Sequence, residues 1–209
     1  MVPTNDSIDV ILRKLVGDKL YTFMTGVLLV DGRTVDANEY VLRYISDFHR
    51  ESGQYIDFYL PGYIAEEEVD KYVGSFTNDY PISIDGKRYY FQPNLYEIAR
   101  DEYKFKWNIE KSRYPMLILM DVENVGGRYS VKQHLGISLK NYMQNSSTTV
   151  EDLFYKIFDY ARLNTGMGRL NYRFRFKVLL GNHIPQITRY LLESGVSALL
   201  GLATNGMIG

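Results

Sequence analysis

Three oxygen-bearing side chains in close succession, Asp121, Glu123 and Asn124 in "LILMDVENVGG", carry the most direct chemistry in the chain. Carboxylate and amide oxygens so grouped are the ligands a hard divalent cation takes. A two-metal hydrolytic site needs more converging acids than these. After Glu123 the chain holds only Glu151, Asp152, Asp159 and Glu193, none of them at the end of an expected strand. The other reading of Asp121 and Glu123 is as turn residues, solvated at the end of a hairpin. A second place for chemistry is "RLNYRFRFKV", where Arg169, Arg173, Arg175 and Lys177 share one face. Such a face can follow a phosphate backbone, but Tyr172, Phe174 and Phe176 point away from it, where stacking on bases would need them alongside. Charges on an exposed edge strand also prevent sheet-to-sheet association, and that is the reading the pattern favours over nucleic acid.

Several chemistries are excluded by what the chain lacks. It has no cysteine, which removes disulfides, thiolate metal sites, CxxC redox exchange and a cysteine nucleophile together. His49, His134 and His183 have neither metal nor triad spacing, and His49 near a helix end reads as a favourable partner of the helix dipole. No nucleophile elbow, dinucleotide fingerprint or phosphate-binding loop occurs, and no cofactor is expected. The net charge of -1 argues against a surface built for polyanions. No cleavable apolar leader opens the sequence, so a cytoplasmic protein is expected. Residues 194–209 carry no charge, but the run is shorter than the roughly 20 apolar residues of a spanning helix and includes four glycines. It is expected to pack as a helix end or to serve as an oligomer contact, with membrane contact a lesser alternative.

The elements that position these groups read as α/β. Ser7 opens a helix to about Val16, expected at the periphery. Residues 20–30 are apolar at nearly every position, as a strand buried on both faces must be. The loop "DGRTVDA" follows, then a helix over 38–51 with Tyr40, Val41, Tyr44, Ile45 and Phe48 on one face, then the strand "YIDFYL". Strand, helix and strand with short joints make a βαβ unit with parallel strands. "FYLPGY" exposes Tyr63, and "ISIDGKRYYF" forms a hairpin turned by Asp85-Gly86. Asn94 with Glu97 forms a capping box for a helix towards Trp107. The strand after Tyr114-Pro115 and "YSVKQHLGISL" are joined by Gly126-Gly127, a connection so short that it favours an antiparallel hairpin over a parallel crossover. Thr148 with Glu151 caps a helix whose stripe is Val150, Leu153, Phe154, Ile157, Phe158 and Ala161.

In this order of elements, with the proline-led apolar strand "YPMLILM", the chain resembles the thioredoxin fold, whose third core strand begins at a cis-proline. The resemblance implies a mixed sheet of a βαβ unit and an antiparallel strand pair flanked by helices. Its core spans 20–163 with a hairpin insertion at about 63–90, after an N-terminal helix in 1–19 and before a strand-helix extension in 164–209. Where that family carries its CxxC pair, this chain reads Asp31-Gly32-Arg33-Thr34, so the activity implied is binding without redox chemistry. The groove would be lined by Asp31, Gly32, Arg33, Tyr114 and Pro115, and its partner a protein or peptide. A second, local resemblance joins "LILMDVENVGG" to PIN-like, NYN-type ribonucleases, in which Asp121, Glu123 and Asn124 would help to hold a metal. The direction of the Tyr114 strand separates the two. Parallel to the 20–30 strand, it brings Asp121 to the same sheet edge as Asp31; antiparallel, it puts them at opposite edges.

Overall fold

The structure is a computed structural model that describes residues 1–18, 23–53, 55–72, 77–107, 115–140, 142 and 149–164. These all belong to the unit Met1–Gly168. The basic face at Arg169, Arg173, Arg175 and Lys177, the apolar run 194–209, Tyr114 and Thr148 lie outside the described residues. In chain order the elements are β1 (Val2–Thr4), α1 (Ile8–Asp18), β2 (Phe23–Leu29), α2 (Val35–Tyr40), α3 (Ile45–Ser52), β3 (Asp57–Pro61), β4 (Tyr63–Ala65), β5 (Thr77–Ile84), β6 (Lys87–Phe91), α4 (Pro93–Trp107), β7 (Met116–Val125), β8 (Arg128–Ser138) and α5 (Val150–Asn164).

Two sheets result, one of five strands in the order β1-β3-β2-β7-β8 and one of three in the order β4-β6-β5. The continuous apolar run of β2 fits its place at the centre, where every residue after Phe23 is buried. It runs parallel to β3, and β3 parallel to β1, as the βαβ reading requires. β7 is antiparallel to β2, with Phe23 opposite Val122 and Leu29 opposite Met116. β8 returns antiparallel along β7, and the turn is made by Gly126 and Gly127 at φ 59° and 79°, a pair of positive angles that glycine adopts without strain. β8 carries one extra residue at Lys132, a bulge where the register steps from Gln133 opposite Asp121 to Val131 opposite Val122.

Helices cover both faces. Phe58 of β3 meets Phe154 and Phe158 of α5 at ring-centroid distances of 5.6 and 5.8 Å, and Phe48 of α3 stacks on Phe154 at 4.2 Å. Burying a large apolar side chain of this kind stabilises by about 1.5–3 kcal/mol. The α5 stripe is buried at every expected position. On the other face α1 and α4 pack together over β3, β7 and β8. The first helix is therefore not peripheral: Ile8, Ile11, Leu12 and Leu15 are all buried. Among the described residues no helix is long and apolar enough to cross a membrane.

Local details differ from the sequence pattern where packing takes over. The helix expected over 38–51 begins earlier, capped by the Thr34 hydroxyl, which accepts from Ala37 N, and breaks at Val41, whose φ of -131° leaves the helical region. A 3₁₀ turn at Leu42–Tyr44 follows, and the break lets both Val41 and Leu42 face the core. α4 is capped by Gln92, whose Oε1 accepts from Leu95 N at 2.9 Å, with Pro93 in the first turn, so the expected Asn94–Glu97 box does not form. α5 carries its capping box one residue on: Thr149 Oγ1 accepts from Asp152 N at 3.0 Å, and Asp152 Oδ2 accepts from Thr149 N at 2.9 Å.

Two expectations follow. A Cβ at Gly26 would lie 2.5 Å from the Phe58 ring, so Gly26→Ala lowers unfolding free energy by about 1–3 kcal/mol in urea titration, and Phe58→Leu in that background recovers part of the loss. Asp9 accepts hydrogen bonds from Lys106 and from the Tyr129 hydroxyl, tying α1 to α4 and β8. The Lys106 bond first, and then that of Tyr129, hold the Asp9 carboxyl below its ordinary value of 3.8. A depressed acid contributes stability that is present above its unfolded value and lost as pH falls through the folded one. Asp9→Asn therefore costs stability near neutral pH, and the urea midpoints of the two proteins converge once the pH falls well below 3.8.

Candidate functional site

The end of the sheet where β2 finishes gathers the residues with chemistry. Leu29 faces Met116, so Val30-Asp31 and Pro115 leave the sheet side by side. The Pro115 carbonyl accepts from Leu139 N at 2.9 Å, which brings the end of β8 to the same place. Of the five residues expected to line a groove, Asp31, Gly32, Arg33 and the buried Pro115 meet here, while Tyr114 is outside the described residues.

The loop 31–34 is ordered by its own polar groups. Asp31 O accepts from Thr34 N at 3.0 Å and from the Thr34 hydroxyl at 2.9 Å. Asp31 Oδ1 accepts from Arg33 N and Arg33 Nε, and Oδ2 from Arg33 Nη2 at 2.6 Å, a forked pair that also closes an Asx turn. Arg33 Nη2 reaches on to Glu97 of α4 at 3.2 Å. The hydrogen bonds it donates to Asp31, chiefly, and to Glu97 hold the guanidinium well above its usual range, so it is always charged. A second ion pair, Lys140 with Asp36 at 2.7 Å, links the exit of β8 to the first turn of α2. Beside Asp36, Val35 is 70% exposed, an apolar side chain presented to solvent next to two ion pairs.

Below the loop lies an aromatic floor. Phe91 sits 5.3 Å from the Tyr63 ring and 5.4 Å from that of Tyr96, and the Arg33 guanidinium lies 6.0 Å from the Phe91 centroid. Tyr63, expected at the surface, is 1% exposed. Burial first, and then the charge of Asp31, keeps its hydroxyl protonated far above the ordinary tyrosine range. Gly32 rests directly on this floor: a Cβ there would come within 2.7 Å of the Tyr63 hydroxyl and 2.8 Å of Phe91 Cγ.

The acids at the other end of β7 have a different setting. Asp121 is not a solvated turn residue; it is 2% exposed, inside the strand, opposite Met24 and Gln133. β7 continues past it to Val125, and the turn is capped by Asn124 Oδ1, which accepts from Gly127 N at 2.8 Å. The antiparallel register sends Asp31 and Asp121 to opposite ends of the sheet. Glu123 is half-buried, and among the described residues no three His, Asp or Glu side chains gather as a metal would require. His49 lies in the last turn of α3, where the helix dipole favours it, and also pairs through Nε2 with Asp85 Oδ2 at 2.7 Å. No family model matches the chain, and no curated protein or solved structure matches it.

Glu97, Lys140 and Asp36 join the site without any sequence signal of their own. Glu97 reads as half of a capping box, and the other two as ordinary surface charges until the register of β2, β7 and β8 is known. The loop is held more by shape than by charge. Gly32→Ala is expected to cost about 1–3 kcal/mol of stability through overpacking. The coupling of Arg33 to Glu97, measured by a double-mutant cycle, is expected at no more than about 1 kcal/mol, since both groups are well exposed.

Proposed function

We propose that the protein is a binding module of thioredoxin-like architecture without redox chemistry, which takes an extended protein segment at the sheet end formed by loop 31–34 and Pro115. The observation that carries this reading is the antiparallel register of β2 and β7, which sets Pro115 beside Val30. The strand order β1-β3-β2-β7-β8, with two parallel pairings followed by two antiparallel ones, supports the same architecture. So does the division of the helices, with α3 and α5 on one face and α1 and α4 on the other.

The chemistry of such a site is recognition. A thiol cannot be exchanged in a chain with no cysteine. What the sheet end offers is Val35 as an apolar seat, with the Asp31–Arg33–Glu97 and Asp36–Lys140 ion pairs flanking it. Backbone pairing supplies affinity in this mode and side-chain pockets supply selection.

A panel of labelled extended peptides, read by fluorescence anisotropy, tests the proposal. Saturable binding is expected for members with an apolar central residue, weakened about ten-fold or more by Val35→Glu. Val125→Glu, at an exposed valine of the opposite sheet end, is expected to leave it unchanged. Equal loss in both variants would remove the site. Cleavage of RNA or DNA that needs Mg²⁺ or Mn²⁺ and disappears in Asp121→Ala would replace the binding reading with the nuclease one.

A further inference from the structure

A buried hydroxyl without a partner is costly, because the water it loses is not replaced. The Tyr63 hydroxyl is in that position: it is fully buried and has no hydrogen-bond partner among the described residues. Loop 31–34 lies directly on it, with Gly32 against the hydroxyl and no side chain between. The hydrogen bonds that shape this loop, from Arg33 and Thr34 to Asp31, are internal to it and do not tie it down. Its described ties to the rest of the protein are the Arg33–Glu97 contact, between well-exposed groups, the Arg33 guanidinium 6.0 Å from the Phe91 ring centroid, and the bonds of Thr34 to Ala37 N and Asn38 N at the start of α2.

We infer that loop 31–34 is a cover with two positions, the described one, which seals the Tyr63 hydroxyl, and a lifted one, in which that hydroxyl is hydrated. The hinge on one side is the Thr34-Val35 step. Lifting separates Thr34 from α2, so Ala37 N–H loses the Thr34 hydroxyl and Asn38 N–H loses the Thr34 carbonyl, while the Asp31–Arg33 fork travels intact. The weak outward tie and the unpartnered hydroxyl both favour opening; the fit of Gly32 on Tyr63 and Phe91 favours closure. Since the cover stands at the sheet end beside Pro115, its position sets what that end presents to a ligand. The device does not depend on a peptide binding there, and its test uses no ligand.

Native-state hydrogen exchange of the whole protein at low urea concentrations reads the cover directly. Ala37 and Asn38 are expected to exchange faster than Val27 and Leu119 in the β2–β7 pairing, and with little urea dependence, because a local opening exposes little surface. Tyr63→Phe removes the need for water and is expected to slow exchange at Ala37 and Asn38 on the order of ten-fold. Glu97→Gln is expected to speed it by up to several-fold. Exchange at Ala37 and Asn38 with the same urea dependence as at Val27 and Leu119 would overturn the inference, since no separate opening would exist. So would a Tyr63→Phe protein in which these amides exchange as fast as before or faster, since the hydroxyl would then be satisfied with the cover shut.

Discussion

The pairing of β2 with β7 is the constraint on which the rest depends. Seven residues of each strand are matched, from Phe23 opposite Val122 to Leu29 opposite Met116, across some ninety residues of intervening chain. A shift of one residue would turn every side chain of β7 to the wrong face, exchanging the layer that meets α5 with the layer that meets α1 and α4. The direction of the pairing decides the chemistry as well. Met24, which faces Asp121, is seven residues before Asp31, or roughly 23 Å along an extended strand. Two acids that look equally available in the sequence are thereby kept from ever sharing a cation, while Pro115 is brought to the loop that follows β2.

Much of this was legible because the signals are local and strong. The unbroken apolar run of β2, the βαβ spacing, the paired glycines of the β7–β8 turn and the stripe of α5 each reflect one periodicity or one backbone requirement, and the described elements follow them. The misreadings have a common cause in tertiary contact. Asn94 and Glu97 have the spacing of a capping box, but Glu97 is drawn to Arg33 and Gln92 takes the cap. Thr148, half of the other expected box, lies outside the described residues, and the next pair along, Thr149 and Asp152, makes capping bonds. Val2–Thr4 is too short to stand out as a strand until β3 supplies its partner. Asp121 is polar and precedes two glycines, which is turn composition; only the length of β7 reveals that it lies inside the sheet.

The candidate site was half legible for the same reason. Asp31, Gly32 and Arg33 could be placed at a strand end from the pattern alone, since the end of a buried strand in an α/β sheet is where side chains are released to solvent. The partners that complete it come from the far end of β8 and from α4, and nothing near Lys140 or Glu97 in the sequence points to a loop more than sixty residues earlier. The aromatic floor was hidden by a turn: Pro61-Gly62 suggested a solvent-facing segment, but Tyr63 opens β4 and is folded under the loop.

The Gly126-Gly127 turn makes the two ends of the five-stranded sheet unlike. Among the described residues nothing beyond their chain neighbours comes within 4 Å of a side chain built at either glycine, and β7, ten residues long, separates the turn from Pro115 by roughly 30 Å. Among the described residues one end of the sheet is crowded around loop 31–34, with ion pairs and a buried tyrosine, while at the other end the glycine turn itself stands clear of its neighbours. A tether or a reporter dye spliced into the glycine turn would meet no described neighbour, so this end of the sheet can serve as a handle while loop 31–34 is left untouched.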